Sequence, residues 1–152
     1  MLINIVMFST SLPPVEVDLQ RRSVLSQELT AAADIFNRKY WGGRLAPSKV
    51  FIVTKGNIPG QVGEEGVQRP LGAFFRDTNN IYIQNNHGGA YSKSQILLHE
   101  QVHKAMGMSA QVNTQHDARF VAEAKRIEGL TGFKIYFPHR HERCPGGVCA
   151  RR

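Results

Sequence analysis

The sequence predicts a single α+β domain in which helices pack on a small, mainly antiparallel sheet. Three observations predict this class: apolar residues recur at helical spacing near the N-terminus, a capping-box pattern opens another helix, and short β-rich runs lie between them. A chain of 152 residues with 41% hydrophobic content has the size of one domain with one core. We expect an N-terminal segment (1–15), one domain (16–138) and a basic, cysteine-containing tail (139–152).

The first predicted elements are a long helix and a small sheet. The helix covers about 16–40, and Gly42 and Gly43 end it. A β-rich run follows at 49–54, and "LGAFFRDTNNIYIQ" (71–84) predicts two short strands joined by a polar turn, which together favour an antiparallel sheet. The apolar residues at helical spacing in the first helix are Leu25, Leu29, Ala32, Ala33, Ile35 and Phe36.

The segment "SKSQILLHEQVHKAMG" predicts a second helix. It opens with Ser92, carries Gln95 three residues later and runs without Pro or Gly to Gly107, which indicates a capping box and a helix end. After a loop, a third helix is predicted over about 115–128. The run "KIYF" (134–137) is expected to form a short strand or an extended segment.

Within the second predicted helix, "HEQVH" places His99 and His103 four residues apart, with Glu100 directly after the first. Side chains four apart lie on the same side of a helix, so both imidazoles can reach one zinc ion at about 2.0–2.1 Å. Glu100 is rotated by about 100°, which keeps its carboxylate out of the ligand set but near a water on the metal. The pattern favours a zinc site with a catalytic base. The alternative is three polar residues on a solvated helix face.

A catalytic zinc site takes three protein ligands and leaves a fourth position for water. His116 follows His103 by 13 residues, at the start of the third predicted helix, and is the candidate third ligand. The alternative for His116 is a surface histidine near a helix N-terminus. Of the remaining histidines, His87 is read as a loop residue, and His139 and His141 lie in the tail.

The motifs "IFNRKYWGGRL" (35–45), "KVFIV", "LLHEQVH", "QHDARF" and "LTGFKIYF" follow one another along the chain. Their order and spacing resemble those of SprT-like zinc metalloproteases, the family that includes the Spartan protease, over roughly residues 25–140. Asp117 is a departure, because the family has a glycine after the third ligand. The residues that match the family's motifs are Asn37, Trp41, Gly42, His99, Glu100, His103, His116 and Phe120.

The resemblance implies a zincin-like (HExxH) metalloprotease domain over 16–138, which acts as a zinc-dependent endopeptidase with one catalytic Zn²⁺. His99, His103 and His116 would bind the metal, and Glu100 would be the general base. The implied substrates are proteins bound or cross-linked to DNA, with DNA as a scaffold or activator. The candidate donors for the developing oxyanion, among which the sequence does not choose, are Tyr136, His139, Arg140 and His141.

The chain is basic, with a net charge of +7 and a pI near 9.8, which favours DNA or another anionic partner. The alternative is a basic surface that only aids solubility. Cys144 and Cys149 lie five residues apart, and a local disulfide, a partial metal site with His139 or His141, and reduced thiols all stay open. The tail residues expected to contact DNA phosphates, if the tail is not merely solvated, are Arg140, Arg143, Arg151 and Arg152.

We expect an intracellular monomer that does not bind membranes. No apolar run reaches the length of a membrane span, and "MLINIVMFSTSLPP" lacks the basic region of a signal peptide. Two cysteines are too few for the disulfide framework of a small secreted domain. Two alternative functions are kept: a non-proteolytic, metal-containing DNA-binding module, and a general or secreted basic zinc peptidase with a disulfide between Cys144 and Cys149.

Overall fold

The structure is a computed structural model that describes residues 14–54, 57–59, 71–85, 91–108 and 116–136. The α+β class is confirmed, and both ends of each predicted helix lie within about three residues of the observed ends. None of the described helices is long and apolar enough to span a membrane. Residues 1–13 and 139–152 lie outside the described ranges, so the division into segment, domain and tail stays a prediction. The elements, in chain order, are α1 (Pro14–Trp41), β1 (Val50–Val53), β2 (Gly72–Phe75), β3 (Asn80–Gln84), α2 (Lys93–Ala105) and α3 (Ala118–Thr131).

The three strands form one mixed sheet in the order β1-β3-β2. β2 and β3 are antiparallel neighbours, with Gly72 opposite Ile83. β1 pairs with β3 in parallel, with Val50 beside Ile81. The prediction of a mainly antiparallel sheet was therefore wrong for β1. The chain between β1 and β3 is long enough for a crossover, so β2 occupies the far edge and β3 returns beside β1 in the same direction.

Helix α1 covers the edge of the sheet formed by β1. Its buried Leu29 belongs to a hydrophobic cluster that includes residues of α1, the sheet and α2. An edge strand leaves backbone N–H groups that need partners. Thr30 Oγ1 accepts a hydrogen bond from the N–H of Val50 at 2.9 Å, and Ser26 Oγ accepts one from Ile52 at 3.0 Å. The two hydroxyls therefore hold α1 against β1 and accept hydrogen bonds from these two N–H groups on its outer edge.

Helix α2 is the central element, and seven consecutive residues, 96–102, are buried. Its Leu97 packs in the cluster formed with α1 and the sheet, which we call the sheet side of α2. Its Leu98 packs with α3 and with Ile135. We call this the α3 side, which consists of α3 and residues 132–136. The predicted capping box at Ser92 is confirmed, because its side chain accepts from the Gln95 N–H and the Gln95 side chain accepts from the Ser92 N–H.

Helix α3 begins at Ala118, three residues later than predicted. Asp117 is its N-cap, and the carboxylate of Asp117 accepts a hydrogen bond from the N–H of Phe120 at 2.9 Å. Asp117 therefore has a structural role where the SprT-like motif has a glycine. His116 lies one residue before the cap, outside the helix, and Gly132 ends the helix with a left-handed φ of 72°.

Residues at the C-terminal end of α1 that carry the family resemblance have structural roles. Asn37 is buried and exchanges two hydrogen bonds with the backbone of Leu45, at 2.8 and 3.0 Å. Trp41 donates a hydrogen bond from Nε1 to the carboxylate of Glu123 on α3 at 2.7 Å. Gly42 adopts a left-handed φ of 62°, which ends α1. These contacts fix the end of α1 against the α3 side of the molecule.

Candidate metal centre

Three histidines converge where α2 meets the start of α3. His99 and His103 lie one turn apart on α2, and His116 lies just before α3. The Nε2 atom of His99 is 3.2 Å from Nε2 of His103 and 3.2 Å from Nε2 of His116. One ring nitrogen from each histidine lies within 4.8 Å of the others. The structure thus brings together the three predicted ligands, close enough to hold one metal ion.

The arrangement of these nitrogens fits a transition-metal ion. Two nitrogens bound to a tetrahedral zinc ion at about 2.0–2.1 Å lie roughly 3.3 Å apart. The Nδ1 atom of His99 lies 2.7 Å from the carbonyl oxygen of Ile135, so Nδ1 carries the hydrogen and donates it to that carbonyl. The lone pair of neutral His99 is then on Nε2, which faces the other two histidines. Three imidazoles suit several transition metals, so zinc stays a prediction.

Phe120 packs against all three histidine rings. Its side chain is fully buried, and its ring centroid lies 4.2 Å from that of His116, with an angle of 16° between the planes. The corresponding distances are 4.3 Å to His103 and 5.0 Å to His99. These contacts restrict rotation of the imidazoles, which keeps their Nε2 atoms turned toward one point. The motif marked Phe120 only as a family match, and the packing supplies the physical reason for an aromatic side chain there.

Glu100 lies beside the histidines but faces the sheet. Helix geometry rotates it by about 60° from His103, and its side chain is buried, with 4% of the residue exposed. Its carboxyl group accepts a hydrogen bond from the backbone N–H of Phe74 in β2. Burial raises the pKa of Glu100 to about 8, against the smaller opposite effect of this hydrogen bond. Glu100 is therefore a buried titratable group that is separate from the three converging nitrogens.

A glycine at the start of β2 makes room for Glu100. A Cβ atom at Gly72 would lie 2.8 Å from Cγ2 of Ile96 and 3.0 Å from Oε1 of Glu100. The first distance is shorter than real Cβ contacts and the second lies at their lower limit, so a larger residue would displace the glutamate or the helix. Sequence reasoning missed Gly72. The available signal was a glycine within the β-rich run "LGAFF", which marks a close approach of another group to the strand.

Tyr136 is the candidate oxyanion donor that lies in the described part of the chain. Its ring centroid is 5.6 Å from that of His116, in a T-shaped contact. Residues 134–136 belong to no helix or strand, so the predicted strand "KIYF" does not form as far as residue 136. His87, which was read as a loop residue, lies outside the described residues. The other candidate functional residues, which also lie outside them and stay predictions, are His139, Arg140, His141, Arg143, Cys144, Cys149, Arg151 and Arg152.

A cavity of about 760 Å³ opens elsewhere, between α1 and residues 46–51. Its wall includes Gln101 of α2 and Asp34 of α1, but none of the three histidines. Gln101 follows His99 by two residues, so helix geometry rotates it by about 200° away from the metal centre. The cavity is therefore not part of the candidate site.

Comparisons with protein families, curated protein sequences and solved structures found no match to this chain. Fold and site together define an α+β domain with a three-histidine cluster able to hold a metal ion. The SprT-like resemblance and the zincin-like fold rest on the sequence motifs, and both enter the proposal below.

Proposed function

We propose that this protein is a zinc-dependent endopeptidase of the SprT-like, zincin type, which cleaves proteins bound or cross-linked to DNA. The observation that carries the proposal is the convergence of three histidine nitrogens beside a buried glutamate that is not among them. A structural zinc site normally fills all four positions with protein ligands, whereas a catalytic site uses three. The described residues near the cluster supply three nitrogens and a carboxyl group, which supports metal-assisted hydrolysis.

In this proposal His99, His103 and His116 hold the ion, and Glu100 handles protons. Bound zinc supplies Lewis acidity, which activates water and polarises the substrate carbonyl. Glu100 acts in its ionised form, which the positive charge of a bound ion would favour against the effect of burial. It accepts a proton from the attacking water and returns it to the leaving amine. Its hydrogen bond with the N–H of Phe74 in β2 also stabilises the ionised form of the carboxyl group. Tyr136, whose ring contacts that of His116, stabilises the negative charge that develops on the carbonyl oxygen.

Replacement of Glu100 by glutamine tests the proton-handling role. Glu100→Gln keeps the shape and an oxygen for the Phe74 N–H, so the fold and about one zinc per chain should be retained. Hydrolysis of a protein substrate should fall by at least ~100-fold, within the range for general acid–base groups. The matched control is Glu28→Gln on the exposed face of α1, which should leave zinc content and hydrolysis unchanged.

Two results would contradict this part of the proposal. Undiminished cleavage by Glu100→Gln would reject Glu100 as the general base. A wild-type protein that binds zinc but hydrolyses no protein, with or without DNA, would instead favour the non-proteolytic, metal-containing DNA-binding module.

The DNA part of the proposal rests on the net charge of +7 and on the SprT-like resemblance. Each neutralised phosphate contributes a slope of about −0.9 for duplex DNA in log K against log salt, so binding should weaken steeply as salt is raised. Cleavage of a DNA-bound basic protein should rise when DNA is added at low salt and fall at high salt. Hydrolysis of a short uncharged peptide should respond to neither change, which makes it the internal control.

The basic tail offers a variant that separates DNA binding from metal binding. Replacing Arg140, Arg143, Arg151 and Arg152 with Gln should weaken DNA binding and leave zinc bound, because these residues are not in the histidine cluster. If the wild-type protein shows no salt-sensitive DNA binding, or if DNA leaves cleavage of the bound substrate unchanged, a general zinc peptidase is the better description.

A further inference from the structure

The short segment 134–136 meets the metal centre and is held in place by side chains from two helices. Its Ile135 is fully buried, and the carbonyl oxygen of Ile135 lies 2.7 Å from Nδ1 of His99. Gln95 of α2 donates a hydrogen bond to the carbonyl of Lys134 at 3.1 Å. Glu128 of α3 accepts hydrogen bonds from the backbone N–H groups of both Ile135 and Tyr136, each at 2.9 Å. The segment that contacts His99 therefore depends on Glu128 for its position.

Glu128 and His99 bind opposite ends of the same peptide group. The carbonyl of Ile135 and the N–H of Tyr136 belong to one planar unit, in which a trans peptide directs the two groups in opposite directions. The Oε1 atom of Glu128 accepts from the N–H end, and Nδ1 of His99 donates to the carbonyl end. A carboxylate at the N–H end polarises the peptide, and a polarised carbonyl is a stronger acceptor for the next group in the chain.

We propose that Glu128 is a positioning residue of the metal centre, which acts on His99 through the Ile135–Tyr136 peptide group. The contact fixes the tautomer and ring orientation of His99, so that its Nε2 lone pair faces His103 and His116. It also makes Nε2 a stronger ligand, because hydrogen bonds from the second ring nitrogen raise ligand basicity. The inference rests on the proposed metal binding, and it adds an outer partner that no motif in the sequence identifies.

Glu128 has a second oxygen, which provides a matched control. Its Oε2 atom pairs with Lys125 at 2.7 Å, and this ion pair does not involve the peptide. Glu128→Ala removes both contacts, and Glu128→Gln keeps an oxygen for the two N–H groups. Lys125→Ala keeps these two hydrogen bonds and removes the ion pair, together with the contact of Lys125 Nζ over the Tyr136 ring at 6.0 Å. A further control is Glu123→Ala, which removes a different α3 carboxylate that binds Trp41 and Arg126. Glu123→Ala should lower the free energy of unfolding without changing the contacts of His99.

The experiment measures the Kd for Zn²⁺ by competition with a chelator at pH 7.5, with unfolding of each metal-free protein followed in urea. Glu128→Ala should bind zinc ~10-fold more weakly than the wild type, the lower end of the ~10- to 100-fold cost of losing a direct partner of a ligand histidine, because the Ile135 carbonyl itself remains. Glu128→Gln should recover part of this loss, because it keeps the accepting oxygen without the charge, and Lys125→Ala and Glu123→Ala should bind zinc within about threefold of the wild type. Unchanged affinity in Glu128→Ala, an equal loss in Glu123→Ala, or no recovery in Glu128→Gln would overturn the inference.

A measurement on the wild-type protein tests the first step of this inference, the hydrogen bond from His99 Nδ1 to the Ile135 carbonyl, without a variant that has to fold. Imidazole nitrogen chemical shifts should show His99 with its hydrogen on Nδ1 in both the metal-free and the zinc-bound protein, at a pH where the ring is neutral. Hydrogen on Nε2 in the metal-free protein would contradict it. The outcome is distinct from that of the proposed function, because zinc affinity and tautomer are read without any substrate. A protein that binds zinc in this way and cleaves nothing would refute only the peptidase.

Discussion

The two sides of α2 hold different parts of the candidate site. On the sheet side, Glu100 lies against β2, where it accepts a hydrogen bond from Phe74 and fills the space above Gly72. On the α3 side, the histidines pack on Phe120, and His99 donates to the carbonyl of Ile135. Neighbouring residues of one helix are thus oriented by separate packing surfaces. Metal binding and proton handling should therefore be separable by mutation, although Glu100 directly follows His99.

The largest expected effect is on the α3 side, where His116→Ala removes one of the three converging nitrogens. Zinc affinity should fall by more than the ~10- to 100-fold that follows loss of an outer partner, and hydrolysis should be lost with the metal. The measurement is zinc content after gel filtration together with the Kd from chelator competition. The metal-free variant should unfold at nearly the same urea concentration as the metal-free wild type, because His116 is partly exposed. Full zinc retention would remove His116 from the ligand set.

A smaller effect is expected on the sheet side, where hydrolysis should fall while zinc affinity is kept. Gly72→Ala introduces a Cβ 2.8 Å from Ile96 and 3.0 Å from Glu100. Overpacking of this kind costs ~1–3 kcal/mol of stability, and displacement of Glu100 should lower kcat while the Kd for zinc stays unchanged. The control is Gly129→Ala in α3, where the added Cβ meets nothing within 4 Å. That variant should gain up to ~1 kcal/mol of helix stability and keep full hydrolysis. Weakened zinc binding in Gly72→Ala would show that the two sides are not independent.

Much of the fold and of the ligand set was accessible from the sequence, because the signals are local. Ser92 and Gln95 define the start of α2, and helix periodicity alone places His99 and His103 on one side. His116 was a weaker prediction, since its proximity to the pair depends on how α3 folds back on α2. The start of α3 was misplaced by three residues because Asp117 was read as a substitution in a motif and not as a cap.

The remaining features depend on contacts between distant parts of the chain. The parallel pairing of β1 with β3 follows from a crossover, which the composition of a strand does not encode. The hydrogen bond between Phe74 and Glu100 joins residues 26 positions apart, and that between His99 and Ile135 spans 36. The second of these uses a backbone carbonyl, which every residue type carries, so no side-chain pattern marks Ile135. Such partners become visible only when the tertiary structure is known.

The smallest expected effect concerns the charge of Glu128 on the α3 side. Burial acts to raise the pKa of Glu128, but hydrogen bonds from Lys125 and from the N–H groups of Tyr136 and Ile135 outweigh it and hold the pKa below the ordinary 4.5. A carboxylate whose pKa is lowered by folding stabilises the folded protein fully above its unfolded-state pKa. That contribution is lost as the pH falls through the lowered folded-state pKa. In acid, the free energy of unfolding of the wild type should therefore fall by an amount that a variant with a neutral residue at position 128 does not lose.

Glu128→Gln isolates this contribution, because it removes the charge and keeps an oxygen for the two N–H groups. Urea unfolding is measured in chelator throughout, since protonation of the histidines would otherwise release metal over the same pH range. At pH 7 the wild type should exceed Glu128→Gln by at most ~1 kcal/mol, the upper range for ion pairs near the surface. The difference should begin to shrink once the pH falls below about 4.5, where Glu128 of the unfolded chain takes up a proton, and it should be lost as the pH falls through the lowered folded-state pKa. A difference that stays constant down to pH 3 would mean that the carboxylate charge does not stabilise segment 134–136, and Glu128 would then act on His99 through its oxygen alone.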